Sequence, residues 1–265
     1  MQNITEIWSL KDEMTADQFL KLIDQGKTDF SKCGRIRVIG AVALSRRTIK
    51  NEVDLGKLIF VDEFNCGSTV FEKSLHFNKA KFNKAFYFNS ATFNGSVRVE
   101  HAVFNADFNL GTATYYCNFC LGEGKFYGSV VCGEAVVKQE FSFADAELFG
   151  IFFGGKLIVE ILSCGRAIIH QSFFCGQMTI NDAFDFGDAN FCIDKEGHTV
   201  FSCGDLKFVD AVVFNRPTFN FVYADRTPAL AWIINEFKKT GVQFDLHNVP
   251  PWVLPDWLDG GNEEE

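Results

Sequence analysis

Large apolar residues recur along this chain at a fixed interval of eleven positions. The most regular series has an aromatic residue at every step: Phe60, Phe71, Phe82, Phe93, Phe104, Tyr115 and Phe126. Aliphatic residues extend this series back to Val38 and forward to Leu148. A second series, offset by six residues, runs from Cys33 to Phe143. Self-similarity at a fixed period is typical of proteins built from stacked repeats.

Each of these residues has a partner two positions earlier, which is the alternation expected of a β-strand. In the first series the partner is small, as at Ala80 and Ala91, and in the second it is bulky, as at Leu75 and Phe86. The chain therefore alternates A-x-F and F-x-F units at steps of five and six residues. Such units are too short for helices and lack hairpin turn signals. The pattern predicts an all-β fold, a parallel β-solenoid in which each unit forms one side of a coil.

The repeat is predicted to continue to residue 219 with two irregularities. One residue is missing near residue 150, after which the inward pairs are expected to resume at Ile151 and Phe153. The segment 195–202 interrupts the apolar pattern and is interpreted as a bulging turn. Alternating sides of five and six residues give about 22 residues per coil if the coil is four-sided, and a three-sided coil is the alternative.

The pattern divides the chain into three parts: an N-terminal helical cap at 1–35, the solenoid at 36–223, and a C-terminal helix and strand with an acidic tail at 224–265. A short helix is predicted over 15–26, where Thr15 and Gln18 have the spacing of a capping box. Because the end coils of a parallel stack expose unpaired strand edges, helices at both ends are expected to cap them.

The second helix is predicted to begin at Thr227-Pro228 and to end at Gly241. Its alternative role is a docking or dimerising surface, since large apolar groups lie near this end of the chain. These candidate contact residues are Trp232, Trp252 and Trp257. A homodimer through the C-terminal segment would use them.

The stretch AKFNKAFYFNSATFNGSVRVEHAVFNADF, residues 80–108, resembles the pentapeptide-repeat family. Phenylalanine takes the central inward position of most units, with alanine two before it in alternate units. The resemblance implies a right-handed, four-sided β-helix, with six-residue sides as this chain's departure from the family rule. Separately, ALAWIINEFKKTGVQFDLHNVP, residues 229–250, resembles the last helix and strand of a STAS domain, which implies a STAS-like regulatory module as a minor alternative.

Composition restricts the partners and the compartment. A net charge of −9 argues against nucleic acid, since binding to phosphates needs a basic surface. The N-terminus lacks the basic and apolar stretches of a secretory signal, and no apolar run is long enough to span a membrane, so no membrane partner is predicted. Most of the nine cysteines are in phase with the repeat, which indicates buried, reduced thiols and a cytoplasmic location.

No catalytic, cofactor or metal site is predicted. Cys117 and Cys120 have CxxC spacing, but no second pair completes a zinc site. Residues 150–157, GIFFGGKL, match a P-loop only as far as Gly-Lys, with Leu157 where a magnesium-binding hydroxyl belongs. The five histidines share no ligand spacing, and a filled solenoid has flat faces rather than a catalytic pocket. The chain is therefore not predicted to be an enzyme.

The leading hypothesis is a non-catalytic protein-binding or scaffold protein that presents rigid solenoid faces to a protein partner. The alternative, which the family resemblance implies, is a DNA mimic that modulates a type II topoisomerase and protects gyrase. Mimicry requires rows of outward carboxylates, and Glu123 and Asp145, one coil apart, are the candidates to begin one. Bases are mixed with the acids throughout the repeat, which favours the scaffold hypothesis.

Overall fold

The structure, a computed structural model, describes residues 12–191 in full and, beyond them, the strands at 200–202, 207–208, 211–213, 218–219 and 223–224. The strands pair in parallel with the equivalent strands of adjacent coils, so that Lys81 lies beside Ile59 in one direction and Val103 in the other. Four strands make one coil, and about eight coils stack. The predicted parallel β-solenoid with about 22 residues per coil is confirmed.

The strands form four sides, numbered in chain order around the coil. Side 1 contains Arg37–Ile39, Ile59–Phe60, Lys81–Phe82, Val103–Phe104, Lys125–Phe126, Glu147–Leu148, Ile168–Ile169, Asn190–Phe191 and Thr218–Phe219. Side 2 contains Val42–Ala43, Phe64–Asn65, Phe86–Tyr87, Phe108–Asn109, Val130–Val131, Phe152–Phe153, Phe173–Phe174, Val200–Ser202 and Tyr223–Ala224.

Side 3 contains Thr48–Ile49, Val70–Phe71, Thr92–Phe93, Thr114–Tyr115 and Lys207–Phe208. Side 4 contains Val53–Asp54, Leu75–His76, Val97–Arg98, Phe119–Cys120 and Ala211–Val213. Three long strands run continuously across sides 3 and 4: Val136–Ser142, Ile158–Ser163 and Thr179–Asp185. In these coils the two sides therefore merge into one sheet.

A short strand and one helix cover the N-terminal end. Strand Glu13–Thr15 pairs with Arg37–Ile39 of side 1, and helix α1 spans Ala16–Asp24. Thr15 is the N-cap, since its hydroxyl accepts from Gln18 N–H at 3.2 Å and its own N–H donates to the Gln18 side chain at 2.8 Å. The predicted capping box is confirmed.

Helix α1 closes the core with one aromatic side chain. Phe19 is fully buried and meets Phe60 of side 1 edge to face, with ring centroids 5.4 Å apart. The second predicted helix, at 227–241, lies outside the described residues. Within the described ranges, no helix has the length and apolar character needed to cross a membrane.

The repeated phenylalanines fill the interior as columns, each column being the residues at equivalent positions of successive coils. On side 1, Phe60, Phe82, Phe104 and Phe126 stack almost parallel, with centroids 4.8–5.0 Å apart. Phe93 continues the column of Phe71 on side 3. These residues have exposures of 1% or less, so the predicted inward columns on opposite sides are confirmed.

The alternation of five and six residues has its cause at the corners. After Phe88 the chain makes a β-turn in which Ala91 N–H donates to the Phe88 carbonyl at 2.9 Å, and Ser90 within it has a φ of 57°. An equivalent turn joins Phe77 and Ala80 at 2.8 Å. Sides 2 and 4, which carry the F-x-F units, end in these turns. The turn accounts for the sixth residue of the six-residue steps.

Hydrogen-bond directions alternate around the coil. On sides 1 and 3, N–H groups at the strand ends donate to the preceding coil, as Lys81 donates to Leu58 at 2.9 Å. On sides 2 and 4, the corresponding groups donate to the following coil, as Phe86 donates to Asp107 at 2.9 Å. The first coil therefore presents unlike backbone groups on different sides.

The predicted inward pair Ile151 and Phe153 is wrong. Phe152 is the buried residue, pairing with Val130 one coil earlier, and Phe153 points outward. The missing residue of the repeat lies between Val159 and Ile161, where the register of the long strands shifts. Gly154 takes the inward place next to Phe152, where an added Cβ would lie 2.4 Å from a backbone oxygen. Because Gly154 has no apolar side chain, the apolar pattern of the sequence pointed instead to Ile151 and Phe153 as the inward pair.

Candidate protein interface

The predicted acidic row is broken by bases. Glu123 and Asp145 lie one coil apart on the corner between sides 4 and 1. Each lies beside a basic side chain of an adjacent coil. His101 Nδ1 lies 2.6 Å from Glu123, and Arg166 donates to both oxygens of Asp145 at 2.7 and 2.6 Å. Lys79 lies two coils before Glu123 on the same corner, and Arg166 lies one coil after Asp145, so bases limit the acidic row to two residues.

The other predicted contact residues, Trp232, Trp252 and Trp257, lie outside the described residues. The homodimer through the C-terminal segment therefore stays a prediction.

The two CxxC cysteines flank an inward residue of side 4. Phe119 between them is fully buried, while Cys117 and Cys120 are half-buried on either side of it. The Cys117 thiol donates to the Asn94 carbonyl at 3.2 Å. Residues 12–191 contain no cluster of three or more side chains suited to hold a metal ion. The seven cysteines of this range are free thiols, five of them buried as the repeat predicts.

An unpredicted apolar surface lies on the corner between sides 1 and 2 in the fifth to seventh coils. We call it the outer patch and define it by the outward residues Tyr127, Val131, Phe149, Ile151, Phe153, His170 and Phe174. The exposed fractions of Tyr127 and Phe153 are 50% and 38%. Large rings exposed to this degree in one contiguous area are typical of interaction surfaces.

Stacking between coils orders the outer patch. Phe149 lies between Tyr127 and His170, with ring centroids 4.6 Å apart on both sides and planes within 5°. Phe153 stacks on Phe174 at 5.4 Å. The rings turn their edges to solvent and support one another across three coils, so the surface is ordered before any partner binds.

A tight corner joins the two halves of the outer patch. Gly150 lies between Phe149 and Ile151, and a Cβ added there would meet the carbonyl oxygen of Gly128 at 2.2 Å. Only glycine permits the two coils to approach this closely at the corner. The bend places Phe149 at the edge of side 1 and Ile151 at the start of side 2.

Charged side chains border the outer patch as pairs between coils. Glu147 accepts from Lys125 Nζ at 2.7 Å and lies 3.2 Å from His170 Nε2. The hydrogen bond from Lys125 holds the pKa of Glu147 below its usual value, although burial opposes this. Lys156 donates to Glu134 at 2.8 Å near side 2. An aromatic centre with a polar rim is the anatomy of a protein–protein interface.

Both columns hold asparagine in the fourth coil, immediately before the outer patch. Asn83 and Asn105 occupy the positions before Tyr127 and are joined by a side-chain hydrogen bond of 3.0 Å. Asn109 occupies the position before Val131. The fold therefore accepts asparagine at these places, and the coil geometry does not require the change to Tyr127 and Val131 at the fifth coil.

The sequence pattern did not predict the outer patch, and the reason is geometric. A step of eleven residues superposes opposite sides of the coil, which mixes Tyr127 with the exposed Tyr116 and Lys138. A step of 22 residues separates the sides and would have found Tyr127 and Phe149 in one outward column. The misplaced register at 151–153 hid the remainder.

Comparisons with known proteins add no identity. No family model, curated protein or solved structure matches this chain.

Proposed function

We propose that this protein is a non-catalytic scaffold that binds a protein partner through the outer patch. The observation that supports it is the change from asparagine to apolar residues within single outward columns. Asn105 is followed by Tyr127 and Phe149 on side 1, and Asn109 is followed by Val131 and Phe153 on side 2. The core does not require this change, since the inward residues of both halves are equally buried.

The physical advantage of such a surface is its low cost of ordering. Side chains that must be fixed on binding lose about 0.5–1.5 kcal/mol each, and stacked rings on a stiff solenoid have lost much of that freedom already. Tyrosine and phenylalanine also bury large areas with few rotatable bonds. A partner with a complementary apolar surface would bind here without rearranging the solenoid.

We also propose that the chain is a divergent pentapeptide-repeat protein of the cytoplasm. The support is the four-strand coil, with phenylalanine inward and alanine two residues before it at Ala80 and Ala91. The seven free cysteines within residues 12–191 fit a reducing compartment. DNA mimicry is ranked lower, because Lys79 and Arg166 lie on the same corner as Glu123 and Asp145, and Arg166 pairs with Asp145, so the continuous carboxylate stripe that mimicry needs is interrupted.

The proposal is tested by affinity isolation from an extract of the source cells with three forms of the protein. The patch variant combines Phe149→Ser and Phe153→Ser, and the control combines Asn83→Ser and Asn105→Ser. We expect the same partner with the wild type and the control, and about tenfold less or none with the patch variant. Sedimentation analysis of each form would reveal a second copy as the partner.

Two results would contradict this assignment. One is a partner that the patch variant retains in full. The other is a partner lost only when Glu123 and Asp145 are neutralised to Gln and Asn, which would assign binding to the acidic corner and restore the DNA-mimic alternative.

A further inference from the structure

The N-terminal end of the solenoid closes the strand edge of side 1 with the chain itself. Strand Glu13–Thr15 pairs in parallel with Arg37–Ile39, and the Asp12 carbonyl accepts from Arg37 N–H at 2.8 Å. Met14, at the centre of this added strand, is buried opposite Val38. A three-residue extended segment with an apolar centre thus completes side 1.

Sides 4 and 2 are closed by other means. On side 4, Asp54 donates to the Thr28 carbonyl at 2.9 Å and accepts from Phe30 N–H at 2.8 Å. On side 2, the Ala43 carbonyl accepts from the Arg47 guanidinium at 3.0 Å. Three of the four edges of the first coil therefore have partners.

Side 3 is the exception. The Arg47 carbonyl accepts from Val70 N–H of the second coil at 2.8 Å. The Ile49 carbonyl likewise accepts from Glu72 N–H at 2.9 Å. The N–H groups of Thr48 and Lys50 face the opposite way, because the C=O and N–H of one trans peptide unit point in opposite directions. Among the described residues, neither N–H group has an acceptor. A strand edge with free donors is the usual template for strand addition.

A cavity of about 420 Å³ lies beside this edge. Ile23 and Gly26 at the end of helix α1 form one wall, and Thr48 and Ile49 form the other. The space is within the range of small-ligand sites. Ile23 and Ile49 are the large apolar residues of its lining, and the rest of the lining is mostly polar, with Asp24, Arg47 and Lys50 as its charged residues.

We propose that this edge binds an extended, acidic peptide of a partner protein as a parallel strand. Its carbonyls would accept from Thr48 and Lys50, and its central apolar side chain would enter the cavity, as Met14 does on side 1. The charge preference follows from Arg46 and Lys50, which are exposed and have no ion pair among the described residues. Arg47 is already neutralised by Asp24 at 2.8 Å.

The test is amide hydrogen exchange of the full-length protein followed by NMR. The probe is the blocked peptide Gly-Asp-Val-Asp-Gly, with Gly-Lys-Val-Lys-Gly as the charge-reversed control. Without peptide, the Thr48 and Lys50 amides should exchange at least tenfold faster than those of Val70 and Glu72. The acidic peptide at millimolar concentration should slow the two edge amides severalfold, and the basic peptide should not.

Thr48→Pro sharpens the test because it removes one donor that has no acceptor in the free protein, a substitution tolerated at a strand edge. It should abolish the response to the acidic peptide, whereas Thr48→Val should retain it. Edge amides that are slow without peptide would overturn the proposal and indicate residues 1–11 or a second copy as the occupant. Fast amides that ignore the acidic peptide would overturn it too. If Thr48→Pro does not fold, the wild-type exchange rates decide.

This site is separate from the outer patch. The Phe149→Ser and Phe153→Ser variant should respond to the acidic peptide as the wild type does, so failure of one proposal leaves the other standing.

Discussion

The inner and outer aromatic columns share one geometry but lie in different surroundings. Phe82, Phe104 and Phe126 stack at 4.8 and 5.0 Å inside the coil. Phe149 stacks on its neighbours in the outer patch at 4.6 Å, with planes as nearly parallel. The coil repeat sets the stacking distance in both places. What differs is the solvent on one side of the outer column.

That difference separates stability from binding. An inward ring removes its whole surface from water and has no substitute of equal volume, so the fold depends on it. An outward ring keeps an edge in solvent, and the column of Asn83 and Asn105 shows that the fold accepts polar residues there. The inner column therefore holds the coils together, while the outer column is free to serve recognition.

The largest expected effect is the loss of an inner ring. Phe104→Ala should reduce the free energy of unfolding by about 3–5 kcal/mol, because it leaves a cavity between Phe82 and Phe126. Phe149→Ala should reduce it by about 1 kcal/mol, the value of one aromatic contact at the surface. Urea unfolding of both variants measures the contrast. Equal losses of unfolding free energy in the two variants would contradict the idea that the inner column stabilises the fold more than the outer column does.

Raising the pH above 9 should destabilise the folded state through its buried thiols. Burial raises the pKa of Cys66 and Cys132 well above the usual value of 9.0, so the folded state keeps their protons after the unfolded chain has lost them. Stability should then be complete below pH 9 and fall by about 1.4 kcal/mol per pH unit for each such thiol above it.

Urea titrations between pH 7 and 11 measure this slope. The variant combining Cys66→Ala and Cys132→Ala should give a shallower slope. An unchanged slope in the double variant would show that the buried thiols are not responsible.

A hydroxyl group within the inner column should be a defect. Tyr115 stacks on Phe93 at 4.7 Å, is 1% exposed, and its hydroxyl has no hydrogen-bond partner. Tyr115→Phe should therefore raise the free energy of unfolding, by about 1–3 kcal/mol for a hydroxyl that loses its water without compensation. Calorimetry would show a higher melting temperature. Tyr116→Phe, at an exposed neighbour, should leave it unchanged, and a destabilised Tyr115→Phe would contradict the assignment.

The smallest effect should come from lengthening the outer column. Asn105→Phe would place a fourth ring below Tyr127, and a surface change of this kind should alter stability by no more than about 0.5 kcal/mol. Binding of the partner isolated with the wild type should be kept or strengthened. A large loss of stability would mean that the outward columns contribute more to the free energy of unfolding than the contrast between inner and outer columns predicts.

The sequence predicted the coil because its signal is chemical and repeated. Phe82 and its equivalents must be apolar in every coil. The repeat can therefore be recognised from the sequence without knowing which coils lie next to each other. The N-terminal capping box could be predicted for a similar reason, because Thr15 and Gln18 bond to backbone N–H groups only three residues away. The outer patch was not predicted because it depends on which outward residues become neighbours in adjacent coils. Those neighbours follow from the 22-residue register. The register at 151–153 in turn depends on the inward Gly154, which has no apolar side chain to reveal it in the sequence.

The alternating hydrogen-bond directions of the four sides have an electrical consequence. Peptide dipoles in an α-helix add along its axis, but here those of sides 1 and 3 oppose those of sides 2 and 4. The rod therefore accumulates no axial dipole, however many coils it contains. A gene that duplicates one 22-residue coil can lengthen such a protein without charging its ends, which makes length an easily varied property of this architecture.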